Sequence, residues 1–229
     1  MCSSDLKTGG LDLTVSGPSL EGLLHTFIRP RPQAQPTLAD IARRVEGRPF
    51  AGQHALVVGG SRGLGEVTAK CIAAGGGSVV VTYLRGENDA NRLVQEIKAM
   101  GGGARAIRLD CTLPAAEIRR VLAEQLTSWA PLTHIYFFAT PLIPVDAKRI
   151  FSGATFRGLA RYYVEGFGEL VQAVQGLGSG RLTFLYPSTA FLDAPEPGTG
   201  EYCAAKAAGE ALCKHLASSL PNLRFFAPR

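Results

Sequence analysis

Tyr202 and Lys206 stand four residues apart in Glu201-Tyr-Cys-Ala-Ala-Lys-Ala. On a helix, positions i and i+4 share one face, so the lysine ammonium can lie near the tyrosine phenol. A free phenol titrates near pH ~10, too high for efficient proton exchange at neutral pH, and a nearby cation favours the phenolate. The pair is therefore an acid/base device in outline. By itself Tyr-x-x-x-Lys is a weak signal, because many helices carry it by chance. Its meaning depends on what precedes it.

What precedes it is a glycine turn, Gly59-Gly-Ser-Arg-Gly-Leu-Gly65. His54-Ala-Leu-Val-Val-Gly-Gly60 reads as a short buried strand, an apolar run with β-branched residues bounded by glycine. From Gly63 onward the period is helical, with Leu64, Val67, Cys71 and Ala74 assigned to one side. Glycines at such a strand-to-helix junction let the backbone approach a pyrophosphate, while the helix N-terminus supplies amide donors and a positive dipole. A plain tight turn is the competing reading; the strand before and the helix after favour a dinucleotide.

The next strand, Val79-Val-Val-Thr-Tyr-Leu-Arg85, ends without the acid that would bind a ribose 2′-hydroxyl. Arg85 there and Arg62 in the turn suit a 2′-phosphate, which gives an expectation of NADP(H) over NAD(H). Two solvated surface arginines are the alternative. Asp110 ends a third strand and can accept from an adenine amino group or cap the helix that starts near Pro114.

These residues resemble the short-chain dehydrogenase/reductase family, in particular its single-domain NADP-dependent reductases of the 3-oxoacyl carrier-protein reductase type. The likeness runs from about residue 52 to the end. It also includes Val81-Thr-Tyr-Leu-Arg-Gly86, Leu109-Asp-Cys-Thr112 and Leu185-Tyr-Pro-Ser-Thr-Ala190. The resemblance implies that Tyr202 is the general acid/base, that Lys206 holds the nicotinamide ribose and tunes the tyrosine, and that a hydroxyl binds the substrate carbonyl. It also implies cofactor contacts from Gly59, Ser61, Arg62, Gly63, Leu64, Gly65, Arg85, Asp110, Cys111 and Ala139. The family places its hydroxyl about thirteen residues before the tyrosine, which selects Thr189; Ser188, one position earlier, is the commoner residue type. Thr189 is slightly favoured, and either can be an ordinary strand-end hydroxyl.

Two departures stand out. Where the family carries Asn-Asn-Ala-Gly, this chain has Phe137-Phe-Ala-Thr-Pro141, retaining Ala139 alone. Where the long helix normally holds an asparagine for a proton-relay water, the register gives Tyr163, with Glu165 close by. A tyrosine hydroxyl still donates and accepts, so loss of activity does not follow.

Strands are expected at 54–60, 78–85, 104–111, 133–140, 180–187 and 222–227, and helices at 63–75, 87–100, 114–127, 154–176 and 202–219. The alternation demands a doubly wound parallel α/β sheet, a Rossmann-like three-layer α/β/α domain over 52–229; the resemblance implies that it lacks the family's seventh strand and substrate lid. Residues 1–51 read as an extension or linker, the remnant of an upstream domain. It has a stiff Pro30–Pro36 stretch, an amphipathic helix over Ser19–Ile28 and a second over Thr37–Val45 capped by Thr37. The opening residues resemble a translated adapter and carry no functional inference.

With 229 residues, 46% of them hydrophobic, the chain suits one α/β domain with a sizeable core. Its net charge of +5 is dispersed, Lys148-Arg149 included, which argues against nucleic-acid binding. The five cysteines lack metal spacing and suit reduced thiols, Cys71 and Cys213 on inward faces. Neither a membrane span nor a secretory core is present, so a cytoplasmic location is expected. The activity expected is hydride transfer between NADP(H) and a carbonyl or secondary alcohol; the family resemblance implies a 3-oxoacyl thioester as substrate class and a homo-oligomer, dimer or tetramer, as the assembly of the complete protein. The rival is a non-catalytic NADP-binding module with a structural or sensing role. A nucleotide-sugar epimerase or dehydratase, suggested by Glu210, fits the NADP-like arginines poorly.

Overall fold

A computed structural model describes residues 2–5, 10–17, 20–27, 35–144 and 150–229. The chain divides into two compact units, Met1–Ala34 and Gln35–Arg229.

In the first unit, β1 (Cys2–Asp5), β2 (Gly10–Gly17) and β3 (Leu20–Phe27) form an antiparallel sheet in that order. The helix expected over 19–28 is therefore a strand. β3 pairs with β2 along its whole length, from Gly17↔Leu20 to Gly10↔Phe27. Gly22 weakens a helix at its centre, and an eight-residue ladder satisfies the backbone better than a short isolated helix can. Most of the Pro30–Pro36 stretch and Lys148-Arg149 lie outside the described residues.

In the second unit, α1 (Leu38–Ala42) starts at Thr37, whose side chain accepts from the Asp40 amide while Asp40 answers in a capping box. Leu38 and Ile41 are buried. Then follow β4 (His54–Val58), α2 (Gly63–Ala74), β5 (Ser78–Tyr83), α3 (Glu87–Ala99), β6 (Ala104–Arg108), α4 (Ala115–Leu126) and β7 (Leu132–Phe137). The long helix is α5 (Gly153–Ala160), a π-helical turn (Arg161–Gly166) and α6 (Phe167–Val174); after it come β8 (Gly178–Leu185), α7 (Gly200–Ser219) and β9 (Leu223–Phe226). All six strands of this sheet are parallel, in the order β6-β5-β4-β7-β8-β9. The order reverses between β4 and β7, which opens a crevice at their carboxyl ends.

Two expectations change in detail. Leu64 does not face the sheet but is 71% exposed at the mouth of the glycine turn; the buried residues of α2 are Gly65, Glu66, Ala69, Lys70 and Ile72. Gly65 and Ala69 are small enough to bring the helix onto the sheet, which turns the Leu64 stripe outward. Cys71 is accordingly half-buried, whereas Cys213 is buried. The expected unbroken helix 154–176 contains the π turn, a feature often found at functional sites.

Candidate active site

The turn after β4 needs its glycines. Gly59 has φ +76°, and a methyl group built on it would sit 2.8 Å from the Ala139 amide nitrogen; one on Gly65 would sit 2.5 Å from the Gly59 carbonyl. Gly63 has φ +59°. Both of the first two amides of the turn are held by Thr82: Gly59 N–H donates to Thr82 Oγ1 at 3.1 Å, and Gly60 N–H donates to the Thr82 carbonyl at 3.0 Å. Thr82 is a site residue that the sequence alone does not single out; a lone hydroxyl in the apolar run Val79-Val-Val-Thr is visible there, but its partner is not. No side chain caps the N-terminus of α2, where Arg62 occupies the N-cap, so that end presents backbone rather than a competing hydroxyl or carboxylate. Ser61 is buried beside it.

Arg62 reaches the start of α3, 3.7 Å from Asp89, in a partly exposed ion pair. Asp89 also pairs with Arg92 at 3.1 Å. Arg85 is exposed at the end of the neighbouring strand. Asp110 accepts from the amide and the hydroxyl of Thr112, at 2.9 and 2.7 Å, and Pro114 rather than Asp110 takes the N-cap position of α4. Cys111 is buried, its thiol pushed up to about 12 by burial and by the Asp110 charge; its carbonyl lies where a methyl on Gly166 would come within 2.7 Å.

Tyr202 and Lys206 share a face of α7 as the spacing requires, with the ammonium 5.9 Å from the Tyr202 ring centroid. Burial pushes the Tyr202 phenol up, with the Thr189 hydroxyl opposing that shift. The Lys206 ammonium is buried, donates to the Pro187 carbonyl at 2.6 Å and faces the Tyr163 ring, 4.1 Å from its centroid, against 5.9 Å for Tyr202. Burial lowers its pKa to about 8. Tyr163 and Tyr202 meet edge to face at 5.7 Å. Tyr163 itself is buried in the π turn, its hydroxyl 2.5 Å from Thr140 Oγ1 and its phenol raised to about 12 by burial. Glu165 points away, exposed.

The two neighbouring hydroxyls diverge. Ser188 donates to Glu210 at 2.5 Å, whereas Thr189 accepts from the Phe191 amide at 3.3 Å and acts on Tyr202. A shallow groove of about 320 Å³ next to Thr140 is lined by Pro141, Leu142, Pro144, Gly158, Leu159 and Tyr162, among others. Another opening, about 350 Å³, includes Arg48, His54, Gly76 and Gly102 at the amino ends of the strands, remote from the tyrosine and lysine.

The sequence profile described as short chain dehydrogenase matches residues 53–224. The 2,5-dichloro-2,5-cyclohexadiene-1,4-diol dehydrogenase LinX of Sphingobium indicum is 32% identical over 178 residues, covering 72% of this chain and 66% of that protein. The hydroxynaphthalene reductase-like protein Arp2 of Metarhizium guizhouense is 40% identical over 85 residues, 37% of this chain and 32% of its own. The chain thus spans less than two thirds of the length of these curated relatives. Among solved structures, a dehydrogenase/reductase from Sinorhizobium meliloti 1021 superposes with TM-score 0.67 at 27% identity, covering 76% of this chain and 69% of the other. The angucycline C-6 ketoreductase LanV with bound NADP superposes with TM-score 0.71 at 19% identity, over 80% and 73%. At that identity the likeness is one of fold.

Proposed function

The chain belongs to the short-chain dehydrogenase family, and on that premise we propose that it transfers hydride between NADP(H) and a carbonyl or secondary alcohol. The observation that carries this reading is a continuous run of contacts: Gly59 packs on Ala139, Thr140 bonds Tyr163, and Tyr163 meets both Lys206 and Tyr202. It joins a dinucleotide cradle to an acid/base pair at the carboxyl end of one sheet.

The residues fit the cofactor. Gly59 and Gly65 let the turn fold tightly against Ala139 and onto itself, Gly63 faces open space beside the uncapped N-terminus of α2 where a pyrophosphate would lie, and Arg62 with Arg85 offers guanidinium forks to a 2′-phosphate. When bound, the nicotinamide supplies or accepts the hydride. Tyr202, its phenol held protonated by burial, donates a proton to the developing alkoxide, the step that a reductase needs. Thr189 hydrogen-bonds the same oxygen, and Lys206 places a cation beside the site below about pH 8. Among the described residues no helix is long and apolar enough to cross a membrane, and the substrate class we assign is a small molecule. A 3-oxoacyl thioester and, from the names of the relatives, a ring ketone are the substrates to screen. We take the assembly to be a dimer or tetramer through α5, α6 and α7, which light scattering would check.

A second reading, an NADP-binding module without turnover, draws on the seat of Lys206 against Pro187 and Tyr163 rather than against Tyr202. Fluorescence titration with NADPH and NADH, on the chain and on an Arg62→Ala/Arg85→Ala variant, followed by Tyr202→Phe, separates the two. The oxidoreductase reading expects NADPH binding that the double variant loses, and turnover that Tyr202→Phe abolishes while binding stays. Binding with no turnover over the whole substrate screen would favour the module, and turnover unchanged in Tyr202→Phe would remove the role given to Tyr202.

A further inference from the structure

Among the described residues of the second unit two lysines are buried, Lys70 and Lys206, and their surroundings are opposites. Lys70 pairs with Glu66 at 2.8 Å and with Glu96 at 3.0 Å. Lys206 pairs with no carboxylate among the described residues. Its ammonium has one carbonyl, that of Pro187, and three aromatic rings, with centroids at 4.1 Å for Tyr163, 4.9 Å for Tyr186 and 5.9 Å for Tyr202. A cation taken from water without a counter-ion must find compensation in dipoles, and the face of an aromatic ring supplies it.

The nearest ring is also the best anchored. The Tyr163 hydroxyl bonds Thr140 Oγ1, and the Tyr163 carbonyl accepts from the Tyr186 hydroxyl at 3.1 Å. Tyr186 in turn fills the space that any side chain on Gly209 would need, its hydroxyl lying 1.9 Å from a methyl built there. Thr140 follows Ala139, whose backbone abuts Gly59. Thr140 and Tyr163 are two of the positions at which the sequence departs from the family it resembles, and in the fold they touch.

We propose that Tyr163 is the positioning residue that seats the Lys206 ammonium: its ring face holds the charge, and its hydroxyl, through Thr140, ties that seat to the loop packed on the glycine turn. The use of this seat in hydride transfer rests on the function proposed above; its existence does not. The groups facing Lys206 are Tyr163 from the π turn, Tyr186 and the Pro187 carbonyl from the end of β8, and Tyr202 and Cys213 from α7. Glu210, one turn further along α7, is committed to Ser188 and Arg229.

The test needs no cofactor. In protein labelled with ¹³Cε-lysine, the Lys206 resonance is identified by its loss in Lys206→Arg and titrated in the wild type, in Tyr163→Phe and with pentafluorophenylalanine at position 163. The last two keep the shape of the ring, but fluorination reverses its quadrupole. The expected result is a midpoint unchanged in Tyr163→Phe and about one pH unit lower in the fluorinated variant, because the charged form loses its attraction. Equal midpoints in the two variants overturn the seat. For the tie, thermal unfolding of Thr140→Val, Tyr163→Phe and the double variant should give three similar downward shifts of midpoint, since all remove one bond; additive shifts overturn it. Neither measurement involves NADPH, so failure of the oxidoreductase reading and failure of the seat are told apart.

Discussion

The Ser188 hydroxyl donates to Glu210 at 2.5 Å, a bond that commits its one proton away from a substrate oxygen. Glu210 is fixed from the other direction by Arg229, which donates from Nε at 2.9 Å and from Nη2 at 2.8 Å. Thr189, the next residue, accepts from the Phe191 amide and keeps its own proton for the Tyr202 side. Thr189→Ala should therefore cost turnover far more than Ser188→Ala does, by about 2.7–4 kcal/mol in kcat, the range for one oxyanion donor. The Ser188 substitution should appear mainly in stability. Steady-state kinetics and thermal unfolding of both variants check this, and equal kinetic losses would return Ser188 to the site.

The same carboxylate gives a pH dependence. Hydrogen bonds from Arg229, then from Ser188, hold Glu210 at about 2 against an ordinary 4.5, with burial opposing them. Its folded pKa is depressed, so its contribution is present in full above about 4.5 and is lost as the pH falls from there toward 2. Glu210→Gln should be less stable than the wild type at pH 6 and lose less on acidification to pH 3. Parallel denaturant midpoints across that range would show that Glu210 contributes nothing through its charge.

Much of this architecture is legible in the sequence because its period is strong. Val79-Val-Val is a buried run closed by Gly86, and the amphipathic stripe of α3 buries Ala90, Leu93, Val94 and Ile97. The pairing of Tyr202 with Lys206 on one face follows from helical spacing alone. What the spacing does not carry is where a long side chain turns. Lys206 can reach either Tyr202 or Tyr163, and only the packing of the π turn decides between them. Likewise Leu64 follows the helical stripe but lies at an open helix end, and the contacts of Thr82 and Asp89 join elements that local pattern treats one at a time. β3 forms a strand rather than the expected helix for the same reason, since its partner strand outweighs its own local preference.

Asp89 sets a test of the cofactor end. It lies 3.7 Å from Arg62, a guanidinium proposed for the 2′-phosphate, so it both occupies that arginine and repels an incoming anion. Both side chains are partly exposed, which limits the pair to about 0.2–1 kcal/mol. Asp89→Asn should tighten NADPH binding roughly two- to fivefold, leave NADH unchanged, and lose its advantage at high salt. Titrations at two ionic strengths measure this; equal gains for both cofactors would take Asp89 out of phosphate selection.

The strongest structural prediction concerns the docking of residues 35–42. Lys70, with a side chain 4% exposed, bridges Glu66 and Glu96 and donates to the Pro36 carbonyl at 3.0 Å, while Glu96 accepts from the Leu38 amide at 2.6 Å. Burial alone would lower the lysine pKa, but the two carboxylates outweigh it and raise it. Lys70→Met leaves Glu66 buried beside a second carboxylate with no cation, a situation that costs about 3–5 kcal/mol. The variant should unfold at a markedly lower denaturant concentration. Adding Glu66→Gln should recover part of the loss by removing the stranded charge, a recovery that a purely steric effect of methionine would not produce. If the double variant is no more stable than Lys70→Met, the network contributes through packing rather than charge.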